Sequence, residues 1–302
     1  MHGEIGVFIG DSLKKEDTME NHKYFVFDLD ETIGSFSDLY LLCKILNIVQ
    51  KDLNLYLFPD AIQVVDRLLD IFPEFLRPGI IDILYYIYIK KQASICDGVF
   101  IYTNNQCIPE TWTQHIINYI EKKGNMKNLV NNIVLTFKIN DRVIEPRRTT
   151  QNKVYREFVK CSYLPNNSSI CFVDNASFKK MKRDSVYYIQ PPSYFHTLGM
   201  NDIIQRLLTS DFGLQFIHST GSSKSILEER MYALSLSLGR SNRLYQYNLN
   251  SFERLSHIET SRKIMYYIRE YLFYSNKKRR ETMSLRKKTL RKTRKISPNI
   301  MN

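Results

Sequence analysis

Long uncharged apolar runs are missing from this 302-residue sequence. A helix that crosses a bilayer needs about 20 predominantly apolar residues, so no spanning helix is expected. The N-terminus lacks a basic stretch followed by a compact apolar run, so a secretory signal is not expected either. Close cysteine pairs are absent as well. The five cysteines, Cys43, Cys96, Cys107, Cys161 and Cys171, are odd in number and no two stand in a CxxC spacing. That excludes a disulfide framework or a close-spaced zinc site. They read as buried thiols of a protein in an intracellular, reducing compartment. The six histidines are scattered without an i,i+4 pair, and no internal repeat is present.

What is there looks globular. Hydrophobic residues make up 43% and charged residues 25%, which excludes a wholly disordered chain. A chain of this length buries enough surface for one large core or two modest ones. Lys and Arg number 43 against 31 Asp and Glu, a net charge of +12. The charge is concentrated. Residues 277–295 hold eleven Lys or Arg and a single acid, Glu281. The body is therefore nearly neutral, and residues 277–302 read as a basic, disordered tail. Such a tail suits a nucleic-acid contact, an import signal or simple solubility. A nucleic-acid contact of this kind would weaken strongly with salt.

Four short apolar runs read as strands: 24–27, 98–102, 169–173 and 186–189. They are rich in aromatic and β-branched residues and end in polar ones. Helical spacing marks 61–72, 78–91 (with Pro78 as its first helical residue), 112–123 and 152–161. Strands alternating with helices predict an α/β fold, a doubly wound and mostly parallel sheet. The expected divisions are an N-terminal extension 1–22, a core domain 23–210, a helical C-terminal region 211–276 with helices over 225–239 and 251–274, and the tail. Open parallel sheets bind ligands beyond the carboxyl ends of their strands. Three of these ends carry Asp28, Thr103 and Asp174-Asn175.

Asp28-Leu29-Asp30-Glu31-Thr32 places two carboxylates two residues apart just past a strand. Oxygen donors so placed suit a hard cation such as Mg²⁺. One carboxylate can attack phosphorus while the second serves as acid and base. This segment resembles the DxDxT motif of haloacid dehalogenase (HAD) superfamily phosphatases. It is similar to the branch of small phosphatases that act on the C-terminal domain of RNA polymerase II, the NLI-interacting-factor-like proteins. Arg77-Pro78-Gly79 before a helix, Tyr102-Thr103-Asn104-Asn105 and Val173-Asp174-Asn175 resemble further segments of that branch. The wording of residues 148–153 and 186–192 resembles homologues from large DNA viruses of eukaryotes.

The resemblance covers about residues 23–210 and implies roles residue by residue. Asp28 is the nucleophile that forms an aspartyl-phosphate. Asp30 is the acid/base and lends its backbone carbonyl to Mg²⁺. Thr103 binds the transferring phosphoryl group, with Asn104 beside it as a further contact. Asp28, Asp30, Asp174 and Asn175 hold the metal. A lysine neutralises charge; Lys153 is preferred and Lys160 is the alternative. Asn105 and Gln106 are loop residues lining the site. Neither stretch between motifs looks like a folded lid, so an open cleft is expected. Its substrate would be phosphoserine or phosphothreonine in a protein, or else a phosphorylated nucleic-acid end. An idle scaffold that binds nucleic acid through its tail is the non-enzyme alternative. The nucleus or a viral replication site would suit all three.

Gly10-Asp11-Ser12-Leu13 matches the nucleophile block of GDSL esterases. That chemistry needs a histidine base oriented by an acid. His196 and His218 have no Asp three residues before them, so the match is read as coincidental.

Overall fold

The computed structural model describes residues 4–14, 22–55, 57–165, 168–239 and 255–273. The basic tail expected over 277–302 lies outside the described residues. The described chain is α/β, with a mostly parallel six-stranded sheet flanked by helices. Its strands are β1 (Gly6–Ile9), β2 (His22–Phe27), β3 (Gly98–Tyr102), β4 (Val130–Val134), β7 (Ser168–Val173) and β8 (Val186–Gln190). A two-stranded hairpin, β5 (Lys138–Ile139) and β6 (Arg142–Val143), lies between β4 and β7. Its turn at Asn140 and Asp141 has both residues at positive φ, as short hairpins require.

The sheet order is β1-β8-β7-β2-β3-β4. β2 pairs in parallel with β3 on one side and with β7 on the other. The chain therefore builds outward from β2 through β3 and β4, then returns to build the other half. Between β2 and β7 the strand order switches, the position beside which open parallel sheets bind ligands at the carboxyl ends of their strands.

Alternation along the strands sends side chains to two cores. Phe25, Phe27, Val99, Ile101, Cys171 and Val173 face the larger one. Tyr24, Val26, Phe100, Tyr102, Ile170 and Phe172 face the smaller. The larger core is covered by α2 (Ser37–Asp52), α3 (Val65–Ile71), α4 (Ile80–Gln92), α5 (Trp112–Lys123) and α7 (Met200–Thr209). The smaller is covered by α6 (Tyr155–Ser162), which contributes Phe158 and Cys161. α1 (Asp11–Lys14) is a single turn at the sheet edge.

Several elements differ from the sequence expectation. Residues 61–72 split into a 3₁₀ turn, Ala61–Val64, followed by α3. The helix expected from Pro78 begins at Ile80, because Gly79 stands at φ +78° and breaks the helical path. The helix expected over 152–161 begins at Tyr155, so Lys153 lies in the loop ahead of it. The segment 1–22 contributes β1, an antiparallel edge strand on β8. In the C-terminal region α8 (Asp211–Thr220), α9 (Lys224–Leu238) and a last helix α10, residues 255–273, share the larger core. On α10, Ile264, Ile268, Tyr271 and Leu272 recur at helical spacing and are buried. Tyr271 donates to the Ser169 carbonyl at 2.9 Å and packs edge-on against Phe25. Among the described residues, no helix is long and apolar enough to cross a membrane.

Candidate active site

Asp28, Thr103 and Asp174 each follow directly on a strand, and the three strands are neighbours. Phe27 stands opposite both Ile101 and Val173 in the register, so β2 and β7 end level and β3 runs one residue further. The ladder continues one residue further, with the Asp28 N–H donating to the Val173 carbonyl at 2.9 Å. Lys153 arrives from the loop before α6. Its Nζ lies 2.5 Å from Asp28 Oδ1 and 2.7 Å from Asp174 Oδ2. The rings of Tyr102, Phe172 and Phe178 surround the ammonium at 5.5–5.8 Å, a further source of attraction for a cation. Lys160 is exposed on α6 and takes no part.

Burial differs across this triad. The side chains of Asp174 and Lys153 are 1% and 2% exposed, whereas that of Asp28 is 10% exposed. Asp28 is therefore the member that presents an oxygen outward. Burial raises the Asp174 carboxyl above its usual range, against the pull of Lys153. Asp30 turns out of the strand end and its Oδ2 accepts from Asn105 Nδ2 at 2.8 Å. Burial, first, and then the Asp28 carboxylate raise Asp30 to about 7; the Asn105 hydrogen bond and Lys153 oppose this.

Two buried arginines, Arg77 of the Arg-Pro-Gly segment and Arg148, hold the loops in place, a role that the sequence pattern did not assign. Arg77 Nε donates to the Thr32 carbonyl at 2.6 Å, and its Nη2 donates to the carbonyls of Glu31 and Pro192. This fixes the turn in which Glu31 adopts φ +60°. Arg148 Nη1 donates to the carbonyls of Thr103 and Leu135, and its Nη2 to Asn104 Oδ1 and the Gln151 carbonyl. Its guanidinium also lies over the Tyr102 ring. Neither arginine meets a carboxylate. Each uses planar donors to gather backbone oxygens from separate loops.

The remaining expected residues are placed as follows. Thr103 is fully buried, and its Oγ1 accepts from the Asn105 N–H at 2.9 Å. The Asn104 amide oxygen is taken by Arg148 at 2.6 Å, which leaves its amino group for a ligand. Asn175 Oδ1 accepts from Thr32 Oγ1 at 2.9 Å, and its Nδ2 donates to Glu31 Oε2 and Ser193 Oγ. Asn175 thus ties the turn after β2 to the loops after β7 and β8. Gln106 is exposed.

Among the described residues, no group of three or more His, Cys, Asp or Glu side chains is arranged to hold a metal ion. Of the expected metal-holding residues, Asp28 and Asp174 bring their carboxylates together through Lys153, Asp30 would add its carbonyl, and the Asn175 amide oxygen is taken by Thr32. Mg²⁺ is commonly held by one or two carboxylates with water and phosphate completing its shell, so this oxygen-only set fits it. Lys153 engages one oxygen of each carboxylate, and Asp174 Oδ1 accepts from the Ala176 N–H. Asp28 Oδ2 stands outside the ion pair.

Ser12 lies at the opposite end of the sheet. Because β1 runs antiparallel to β8, the end of β1 lies beside the start of β8. Ser12 Oγ donates to the Asp184 carbonyl at 2.5 Å. Gly10 is required there for packing, since a Cβ would come within 2.3 Å of the Arg183 and Asp184 carbonyl oxygens. Compared with protein-family models, curated proteins and solved structures, the chain matches none of them.

Proposed function

We propose that the chain is a Mg²⁺-dependent phosphatase of the HAD type, acting through an aspartyl-phosphate. The observation that carries this reading is the Lys153 bridge between Asp28 and Asp174 at the level ends of adjacent strands. A scaffold without chemistry gains little from two carboxylates and a lysine buried together, because desolvation offsets their attraction.

The proposed course uses residues already in place. Asp28 attacks phosphorus, forming an oxygen–phosphorus bond as the bond to the leaving oxygen breaks. Asp30 gives that oxygen its proton. A carboxyl raised to about 7 still holds a proton near neutral pH. Lys153 offsets the charge of Asp28 as the phosphate approaches, and the Asn104 amino group lies beside Thr103 for the phosphoryl oxygens. Water then gives a proton to Asp30 and attacks phosphorus, and the bond to Asp28 breaks. Bound Mg²⁺ would screen the attacking carboxylate from the phosphate charge.

Phosphoserine or phosphothreonine in a protein is the proposed substrate. The stretches between motifs support it. α2, α3 and α4 bury their apolar faces in the core beside the sheet. The hairpin β5–β6 has only two residues per strand. Neither builds a separate lid over the strand ends. The test is turnover of a generic aryl phosphate with and without Mg²⁺, on the wild type and Asp28→Asn. Mg²⁺-dependent release that Asp28→Asn abolishes is expected. Equal release by both proteins would overturn the reading.

A further inference from the structure

We propose that Asn105 is the positioning residue for the acid/base carboxyl: its Nδ2 holds Asp30 Oδ2 and leaves Oδ1 as the oxygen that passes a proton to the leaving group. This rests on the phosphatase reading above.

The orientation of the Asn105 amide follows from its partners. Its Oδ1 accepts from the Cys107 N–H at 2.8 Å. An amino group cannot accept that bond, so the amide cannot be turned round. Nδ2 is thereby aimed at Asp30, 2.8 Å away. The Asn105 N–H donates to Thr103 Oγ1, so one residue connects the ends of β2 and β3. Its loop is pinned a few residues on. The Tyr40 hydroxyl on α2 both accepts from the Ile108 N–H and donates to the Ile108 carbonyl, each at 3.1 Å. The Tyr40 ring packs edge-on against Trp112.

A carboxyl group has two oxygens and a rotatable bond. An N–H donor bonds best to the oxygen without the proton, so Asn105 on Oδ2 directs the proton to Oδ1. Asp30 then gives that proton to the leaving oxygen as the phosphorus–oxygen bond breaks, and recovers one from water in the second step. Holding an acid in its productive rotamer is a recognised part of such catalysis. Asn105 itself touches no reacting atom.

Asn105 also closes an ordinary side-chain turn with Cys107, so the test must separate the two roles. Asn105→Ala removes both bonds. Asn105→Asp keeps the acceptor for Cys107 but presents Asp30 with an oxygen in place of a donor. For each protein, kcat/KM, which reports events up to departure of the leaving group, is measured on p-nitrophenyl phosphate and on a phosphoserine peptide. Nitrophenolate leaves without protonation, whereas the serine alkoxide does not. We expect both variants to lose at least about tenfold more on the phosphoserine peptide than on the aryl phosphate, with melting temperatures near the wild type. Equal losses on both substrates, or no loss, would overturn the positioning role while leaving the phosphatase reading intact. A wild type inert on both substrates would overturn that reading and this inference with it.

Discussion

Replacing Lys153 by Met tests the buried ion triad directly. Methionine fills a similar length of apolar space among Tyr102, Phe172 and Phe178 but brings no charge. The two carboxylates, each within 2.7 Å of the ammonium, would then face each other. At an effective dielectric of about 20, a cation 4 Å away stabilises a carboxylate by about 4 kcal/mol. Desolvation of three charges offsets much of that, and breaking such a set costs about 3–5 kcal/mol. For a chain of this size that is a fall in Tm of about 5–8 °C. The deficit should depend on pH. Two like charges raise one folded-state pKa, so the folded variant binds a proton that the unfolded chain releases above about 4. Its stability is therefore lost as pH rises through that window. Thermal melts of wild type and variant at pH 5 and pH 8 should show the larger gap at pH 8. In the same preparations, kcat on an aryl phosphate should fall by at least about 10²-fold, while Lys160→Met, on the exposed face of α6, should match the wild type. A gap that is absent, or larger at pH 5, would refute the reasoning on stability. Full turnover by Lys153→Met would refute the role in catalysis.

Two further outcomes follow from the site. Asp30 is raised to about 7 and Asp174 is also raised, so the metal-free protein should lose stability as pH rises from about 4 to about 7. Added Mg²⁺ should raise Tm more at pH 8 than at pH 5, which melts at the two pH values would check; an equal effect would contradict the assignment. Arg148→Met leaves four oxygens, on three separate stretches of chain, without their donor. A loss of about 3 kcal/mol or more is expected by urea denaturation, together with faster exchange of the Thr103 and Asn105 amide hydrogens.

The parts of this molecule that are legible in the sequence are those fixed by local rules. The four central strands read correctly because each is a run of aromatic and β-branched residues buried on both faces, a pattern peculiar to parallel sheets. Their polar ends placed Asp28, Thr103 and Asp174 together, since these parallel strands end within one residue of each other. β1 was harder to read. An edge strand of four residues with no fully buried member carries too weak a pattern to show that it joins β8. The start of α4 was misread for a different reason. Pro78 suits a first helical position, but Gly79 adopts a left-handed φ, and that depends on where the chain must turn to let Arg77 reach the carbonyls of Thr32 and Pro192.

The arginines and Asn105 show where local reading stops. Nothing in the residues around Arg148 marks a buried guanidinium, because its acceptors come from positions 103, 104, 135 and 151. Arg77 likewise joins Glu31 and Thr32 to Pro192, 115 residues further on. Asn105 reads as one polar loop residue among three, and only the folded chain brings Asp30 to its amino group. Such residues contribute through loops that are distant in sequence, and a strand-end motif cannot announce them. A strand end supplies a carboxylate in roughly the right place. The buried donors set its angle to within the tolerance that proton and phosphoryl transfer demand. In this fold both kinds of group meet where the strand order reverses beside β2, and there the loops after β2, β3, β7 and β8 are all within reach of one another.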